Sequence, residues 1–329
     1  MRRDKQAQPL AKVGRIVTQR PRQPDDVFIC CASFESRCLG SLRRFSQYEY
    51  RHACMFVYDH PDERRDEHLR EMREILGSSG SFEEISASEL NPIPAIQLLR
   101  DRLRSLGLRP GQCAATVDTT AFTKRHLLLL LRMLDDLDLW ADLRLLYTEP
   151  RDYVTDLYAP MSFGLREISP IPGFGGQEFP SKPLLLVVFL GYEADRALAL
   201  YENLDPNEAI LIVPKPAYHP EWEGRTEDLN GALISLVGTK RVVASDSRDP
   251  VRVASTLASV LESPEYSTDR FNCHVSPLGT KPQVVGLYLY WRKHRGEISV
   301  IYAQSLRHNQ RFYSHGIGKT WILPTSQPM

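Results

Sequence analysis

The sequence has no excess of charge in either direction: Lys+Arg and Asp+Glu both total 41. A chain so balanced carries no general basic coat, so direct binding along duplex nucleic acid is not expected of it, while a local basic pocket stays open. Long apolar runs are missing as well. Leu127–Leu131 and Leu184–Leu190 fall far short of the roughly 20 residues a membrane helix needs. The first residues are polar and basic, with no apolar stretch of a secretory leader behind them. A cytoplasmic protein without a membrane partner is expected. Cysteine is sparse, and Cys30, Cys31, Cys38, Cys54, Cys113 and Cys273 form no C-x-x-C pair, which argues against a zinc site or a disulfide framework. His52, His60 and His68 lie near Asp59, Asp62 and Asp66, but His60-Pro61-Asp62 reads first as a turn into a charged helix, so no metal is expected. The glycine fingerprints are absent too. Neither module opens with a strand followed by G-x-G-x-x-G, and Gly316-Ile-Gly-Lys-Thr320 lacks the P-loop's first glycine, since Tyr313 stands there. With no G-x-S-x-G or H-E-x-x-H either, NAD, Walker-type ATP hydrolysis and the common hydrolase sites are disfavoured, and no cofactor is expected.

What the chain does have is a repeat of itself. A strand-like run ending in a Glu/Arg turn, Val27–Cys31 followed by Ser33-Phe34-Glu35-Ser36-Arg37, recurs as Leu184–Leu190 followed by Gly191-Tyr192-Glu193-Ala194-Asp195-Arg196. Asn91-Pro92 and Asp249-Pro250 each open an amphipathic stretch, and Asp118-Thr-Thr-Ala-Phe-Thr-Lys124 is answered by Ser276-Pro-Leu-Gly-Thr-Lys281. Tyr147 and Tyr158 match Tyr302 and Tyr313. The offsets are 158 for the glutamates and the prolines, 157 for the lysines and 155 for the tyrosines. A period this long means a duplicated domain rather than a solenoid; the alternative is two unrelated α/β units that share turn chemistry.

At 329 residues with 42% hydrophobic residues the chain can bury two ordinary cores. Strand-like runs alternate with helical stretches in both halves, the pattern of βαβ crossovers. The fold class expected is α/β: two tandem Rossmann-like modules, each a mostly parallel sheet flanked by helices. Residues 1–24 hold Arg2, Arg3, Lys5, Lys12, Arg15, Arg20 and Arg22 against Asp4 with no apolar period, and read as a disordered basic arm. The first module covers 25–165, with its last strand ending at Tyr147. The Pro- and Gly-rich stretch 166–183 reads as a linker without regular structure, and 184–329 forms the second module.

In an open parallel sheet, ligands sit beyond the carboxyl ends of the strands. The repeated motifs fall there. Thr119, Thr120, Thr123 and Lys124 follow one strand, and Ser276, Gly279, Thr280 and Lys281 follow its counterpart. A hydroxyl-rich turn at a helix start offers free N–H groups, the positive end of the helix dipole and a lysine, all suited to phosphate. Simple N-capping is the competing reading. Ser33, Glu35 and Arg37, with Tyr192, Glu193 and Arg196, are placed to reach the same pocket, or else form charge pairs that fix their turns. The loop 214–225, with Tyr218, His219 and Trp222, has no clear equivalent in the first half and reads as an aromatic lid or a partner surface. Arg307 to His315, including Asn309, mixes cations with aromatics after the last expected strand, a composition suited to phosphate and base contacts or to a solvated loop.

Two Rossmann-like modules, each with a Ser/Thr-x-x-x-Thr-Lys turn, resemble the CRISPR-associated Rossmann-fold (CARF) domains and the SAVED domains of anti-phage signalling, which look like two such units fused. The resemblance covers residues 25–323 as architecture. It implies a cyclic nucleotide or another phosphate-containing ligand near the turns, and a sensor of a prokaryotic defence system that acts through a protein effector rather than as an enzyme. The alternatives it leaves are a metal-independent phosphodiesterase that degrades the messenger, with Lys124 and Lys281 stabilising phosphate charge, and a non-catalytic adaptor. Leu278 stands where the family's turn has its first glycine, and Ala121 and Phe122 replace both glycines in the first module.

Overall fold

The computed structural model describes residues 15–16, 25–44, 50–59, 63–108, 113–139, 143–153 and 160–325. In the first half these are β1 (Arg15–Ile16), β2 (Asp25–Cys31), α1 (Gly40–Arg44), β3 (Tyr50–Tyr58), α2 (Glu63–Ser79), β4 (Ser81–Ala87), α3 (Ile93–Ser105), β5 (Ala115–Asp118), α4 (Lys124–Asp136), β6 (Leu143–Tyr153) and β7 (Ser162–Pro170). The second half holds β8 (Leu184–Phe189), α5 (Ala194–Leu204), β9 (Glu208–Pro214), α6 (Glu223–Leu229), α7 (Gly231–Val237), β10 (Val242–Ser245), α8 (Pro250–Leu261), β11 (Asn272–Pro277), α9 (Lys281–Trp291), β12 (Ile298–His308) and β13 (Ser314–Leu323).

Strand residues alternate between two faces, and both faces of the first sheet are covered. Val27, Ile29 and Cys31 of β2 enter one apolar core; Phe28 and Cys30 enter another on the opposite face. Cys54, Phe56 and Tyr58 of β3 part from Ala53 and Met55 in the same way. The larger core runs without a break into the second module. Its centre is the pair α4 and α9, buried on most sides: Pro282 to Trp291 are all buried, as are Arg125 to Leu131. A helix apolar around its girth belongs between layers rather than on a surface. At the far end of this pair Asp135 ties the halves together, accepting from Tyr288 Oη at 2.9 Å, Arg292 at 2.6 Å and Arg295 at 2.9 Å.

The structure has two mixed sheets, ordered β1-β13-β6-β5-β2-β3-β4 and β10-β9-β8-β11-β12-β7. With β8 taken for β2 and each later strand for its counterpart, the two orders coincide. The likeness includes an exchange: β7 of the first half lies antiparallel to β12, and β13 of the second half lies antiparallel to β6. All the other strand pairs are parallel, apart from the short β1 against β13.

The exchange alters the expected organisation. The sheets do not divide at the Pro/Gly-rich stretch: β7 overlaps the start of the linker drawn at 166–183 and serves the second sheet, while β13 serves the first. Neither strand was foreseen. Each is only partly buried and broken by glycine (Gly164; Gly316 and Gly318), so the period-2 alternation of a half-buried strand is blurred. For the same reason β6 and β12 run on past Tyr147 and Tyr302 to Tyr153 and His308, the extra length being spent on the exchanged partners. Arg307 to His315 therefore spans a strand end, a short turn and a strand start. Within the basic arm, Arg15–Ile16 pairs with β13, and the rest of the arm lies outside the described residues. Tyr158 and His60 lie outside them too.

Candidate functional site

Both Glu/Arg turns fold into one construction. Glu35 holds Arg37 through two contacts at 2.8 and 2.9 Å, and Arg37 donates onward to Tyr147 Oη at 3.3 Å and Thr148 O at 3.5 Å. Glu193 accepts from Arg196 at 2.6 Å, and Arg196 donates to Ala303 O at 2.7 Å and stands 5.3 Å over the Tyr302 ring. Each guanidinium thus meets the repeated tyrosine and the carbonyl of the residue after it. The exchanged strands complete the motif, for Ser314 of β13 hydrogen-bonds Glu35, and Ser162 of β7 lies near enough to Glu193 to favour its charged form. A surface charge pair is ruled out, since the four side chains are only 4–7% exposed. Burial alone would push both carboxyls up. The adjacent arginines and a lysine from the other module outweigh it, drawing Glu35 down and holding Glu193 at about 2.

The hydroxyl-Lys turns cross between modules. Thr123 caps α4, its Oγ1 accepting from His126 N at 3.3 Å, and Thr280 opens α9 with its N–H bound to Gln283 Oε1 at 2.8 Å. The threonines are therefore helix caps. Their neighbours do more than cap, because Lys124 and Lys281 line the same two adjoining cavities, together with Glu193 and Tyr313. Lys124 of the first module reaches Leu278 O at 2.6 Å and Glu193 Oε2 at 4.0 Å in the second. Lys281 of the second module stands in the field of Arg37 and Glu35 of the first. Burial drives the Lys124 ammonium down to about 7, with Glu193 opposing and Arg196 and Lys281 adding to the fall. Lys281 is lowered to about 8 by burial and then by Arg37, against the pull of Glu35. Lysines at helix starts ordinarily point to water. These two point inward and form a pair of partly desolvated cations.

Of the residues singled out from sequence, Ser33, Glu35, Arg37, Thr123, Lys124, Tyr192, Glu193, Arg196, Gly279, Thr280, Lys281 and Arg307 line the cavities at the module junction. Four do not. Thr119 Oγ1 donates to Leu146 O at 2.7 Å, Thr120 Oγ1 accepts from Thr148 N at 2.9 Å, and Ser276 is fully buried in β11. Asn309 secures the start of β7 through Pro160 O and Met161 O, both at 2.8 Å. Gly279 has a local reason as well: a Cβ there would collide with the Gln283 side chain that caps α9. Phe122 turns away into the core, edge-on to Phe56 at 5.1 Å, so it does not stand beside Lys124 as an obstacle.

Tyr218 and Trp222 of the expected aromatic lid and Tyr313 of the 307–315 stretch line the cavities, and sequence reasoning missed Tyr147, Tyr153 and Tyr302, which line them too. For Tyr147 and Tyr302 the constant offset was the available signal. Of the three histidines, the two among the described residues, His52 and His68, go to separate partners. His68 bonds Ser33 O at 2.8 Å, and His52 instead meets Cys54 and Glu83, where Glu83 is already held by His52 at 3.2 Å and Arg102 at 3.0 Å. All six cysteines are free and buried.

No protein-family profile matches the sequence, and no curated protein matches it. Among solved structures, the chain is similar to a Type III CRISPR defence DNA nuclease activated by cyclic oligoadenylate, at TM-score 0.52 and 12% identity over 88% of this chain and 67% of that one. At that identity the likeness is one of fold. A looser overlap, TM-score 0.28 and 14% identity over 38% of this chain and 32% of that one, is with Can2 from Sulfobacillus thermosulfidooxidans in complex with cyclic tetra-adenylate. Among the described residues no helix is long and apolar enough to cross a membrane.

Proposed function

We propose that the chain binds a cyclic oligonucleotide second messenger in the cleft between its modules, as a sensor subunit of a prokaryotic defence system that acts through a partner effector. The observation that carries this reading is the convergence of Lys124 and Lys281, each from the first turn of its helix, on one cleft shared by the two modules. Two cations on one shared cleft, with helix N-termini behind them, suit phosphates spaced around a ring. The fold likeness to a nuclease activated by cyclic oligoadenylate supports the same ligand class.

Calorimetric titration with a panel of cyclic di- and oligonucleotides tests it. One ring bound per chain is the expected result. Chromatography of the recovered ring separates sensor from phosphodiesterase, and the sensor reading expects it intact. Absence of binding by well-folded protein would leave an adaptor, with the Thr-Lys turns as caps only.

A further inference from the structure

The two half-sites share their centre and differ at their walls. Around the lysines the modules share a Thr-Lys pair at a helix start and a buried Glu/Arg pair. Beyond them, β3 of the first module leads almost directly into α2, which sends Arg65 to the cavity, whereas β9 runs into the 214–225 segment, which is loop and a short turn until α6 starts at Glu223. That loop folds Tyr218 and Trp222 back over the junction. Tyr218 packs on Tyr147 at 5.4 Å between ring centres and on Trp321 at 5.6 Å; Trp222 meets Tyr153 at 5.0 Å, and Tyr153 meets Tyr192 at 4.8 Å. The result is a narrow slot of about 90 Å³ walled by aromatic rings. Its counterpart is a wider cavity of about 320 Å³, lined by Arg65, Glu89, Arg307, His308 and Gln310. The loop lies against the first sheet, its His219 Nε2 3.6 Å from Glu149 Oε1 without a hydrogen bond. Glu149 is itself held by Trp321 Nε1 at 3.0 Å.

One polar atom of the residues that wall the slot has no partner in the protein. The Tyr218 hydroxyl is buried and has no hydrogen-bond partner. A buried hydroxyl left unpaired is costly, and its place among rings tilted at 43° and 56° to its own suits the polar edge of a planar heteroaromatic ligand.

Resting on the function proposed above, we propose that the 214–225 loop makes the site read a single nucleobase: one base of the ring enters the aromatic slot, stacked among Tyr147, Tyr192 and Tyr218 and hydrogen-bonded by the Tyr218 hydroxyl, while the opposite side of the ring lies in the charged cavity without base selection. Base stacking on aromatic rings tolerates many bases, so the selection falls to the hydroxyl.

The test uses the full chain and rings of one size, all-adenylate and all-uridylate, the tighter of the two defining the preferred base. The wild type is expected to separate them by about tenfold or more, and Tyr218→Phe, which keeps the ring and loses no protein contact, to cut that ratio about three- to tenfold. Arg307→Ala should weaken both rings by a like factor and leave the ratio alone. A ring with one preferred base among the others should bind within about fivefold of the uniform preferred ring, because it can turn that base into the slot. The proposal is overturned if the two uniform rings bind alike, if Tyr218→Phe leaves the ratio unchanged, or if the single-base ring binds as poorly as the uniform non-preferred one. Failure of every ring to bind the wild type would instead remove the parent reading.

Discussion

Set side by side, the two modules agree where charge is buried and disagree where the wall is made. Glu35, Arg37 and Tyr147 are matched by Glu193, Arg196 and Tyr302 down to the carbonyl each arginine reaches, yet Tyr218 and Trp222 face Arg65 and His308 across the cleft. The difference follows from cost. A buried ion pair tolerates little change, because losing one member strands the other in a medium that cannot solvate it. A loop beyond a strand end is under no such constraint, and it can be lengthened in one half alone.

The strongest challenge to the matched centre is removal of a guanidinium. Arg37→Ala and Arg196→Ala should each lower unfolding free energy by about 3–5 kcal/mol, since each leaves a buried glutamate without its main partner. Denaturant melts check this, and values for the two variants that differ by more than about half would mean the halves are alike in shape only. Next come the lysines. Lys124→Ala and Lys281→Ala should each weaken ring binding by roughly ten- to a hundredfold, the loss of a charge-assisted contact of about 1.5–3 kcal/mol. With Phe122 turned into the core, the two losses should be similar, and titration of both variants tests that equality.

A smaller effect concerns the clamp on the far side. Asp135→Ala strips Tyr288, Arg292 and Arg295 of a shared acceptor; the arginines are partly exposed, so about 1–2 kcal/mol of stability is expected to go, with the ring affinity little changed. The smallest is the pH response. Lys124 and Lys281 are lowered to about 7 and about 8, so in the free protein they lose their charge as pH rises through that window. A bound phosphate favours the charged form, so affinity should hold below pH 7, fall as pH climbs from 7 to 9, and be accompanied by proton uptake on binding, measurable by calorimetry in buffers of different ionisation enthalpy. The sign for folding is the reverse. Both lysines bind protons more weakly folded than unfolded, so their contribution to stability improves between pH 7 and 10 and is poorest below 7.

The sequence carried the repeat well because its landmarks sit in the strands or in the short turns between a strand and the next helix, where spacing is rigid. Glu35 with Glu193 and Lys124 with Lys281 could be paired by counting alone. It did not disclose that the lysines turn inward and are partly buried, since Lys124 is covered from the opposite module: Leu278 receives it, and nothing near position 124 in the chain announces that. The exchanged strands were hidden for a related reason. Phe163, Leu165 and Ile168 look too scattered for a strand until β12 lies beside them.

That exchange has a bearing on how the molecule can be taken apart. Each half lends its last strand to the other, and with it the serine that touches the other's glutamate. A nick between Ile171 and Pro183 would therefore not release two independent pieces. Each piece would keep the other's missing edge, as partners in a domain-swapped dimer do. A gene cut at the apparent linker should therefore yield halves that are stable only when expressed together.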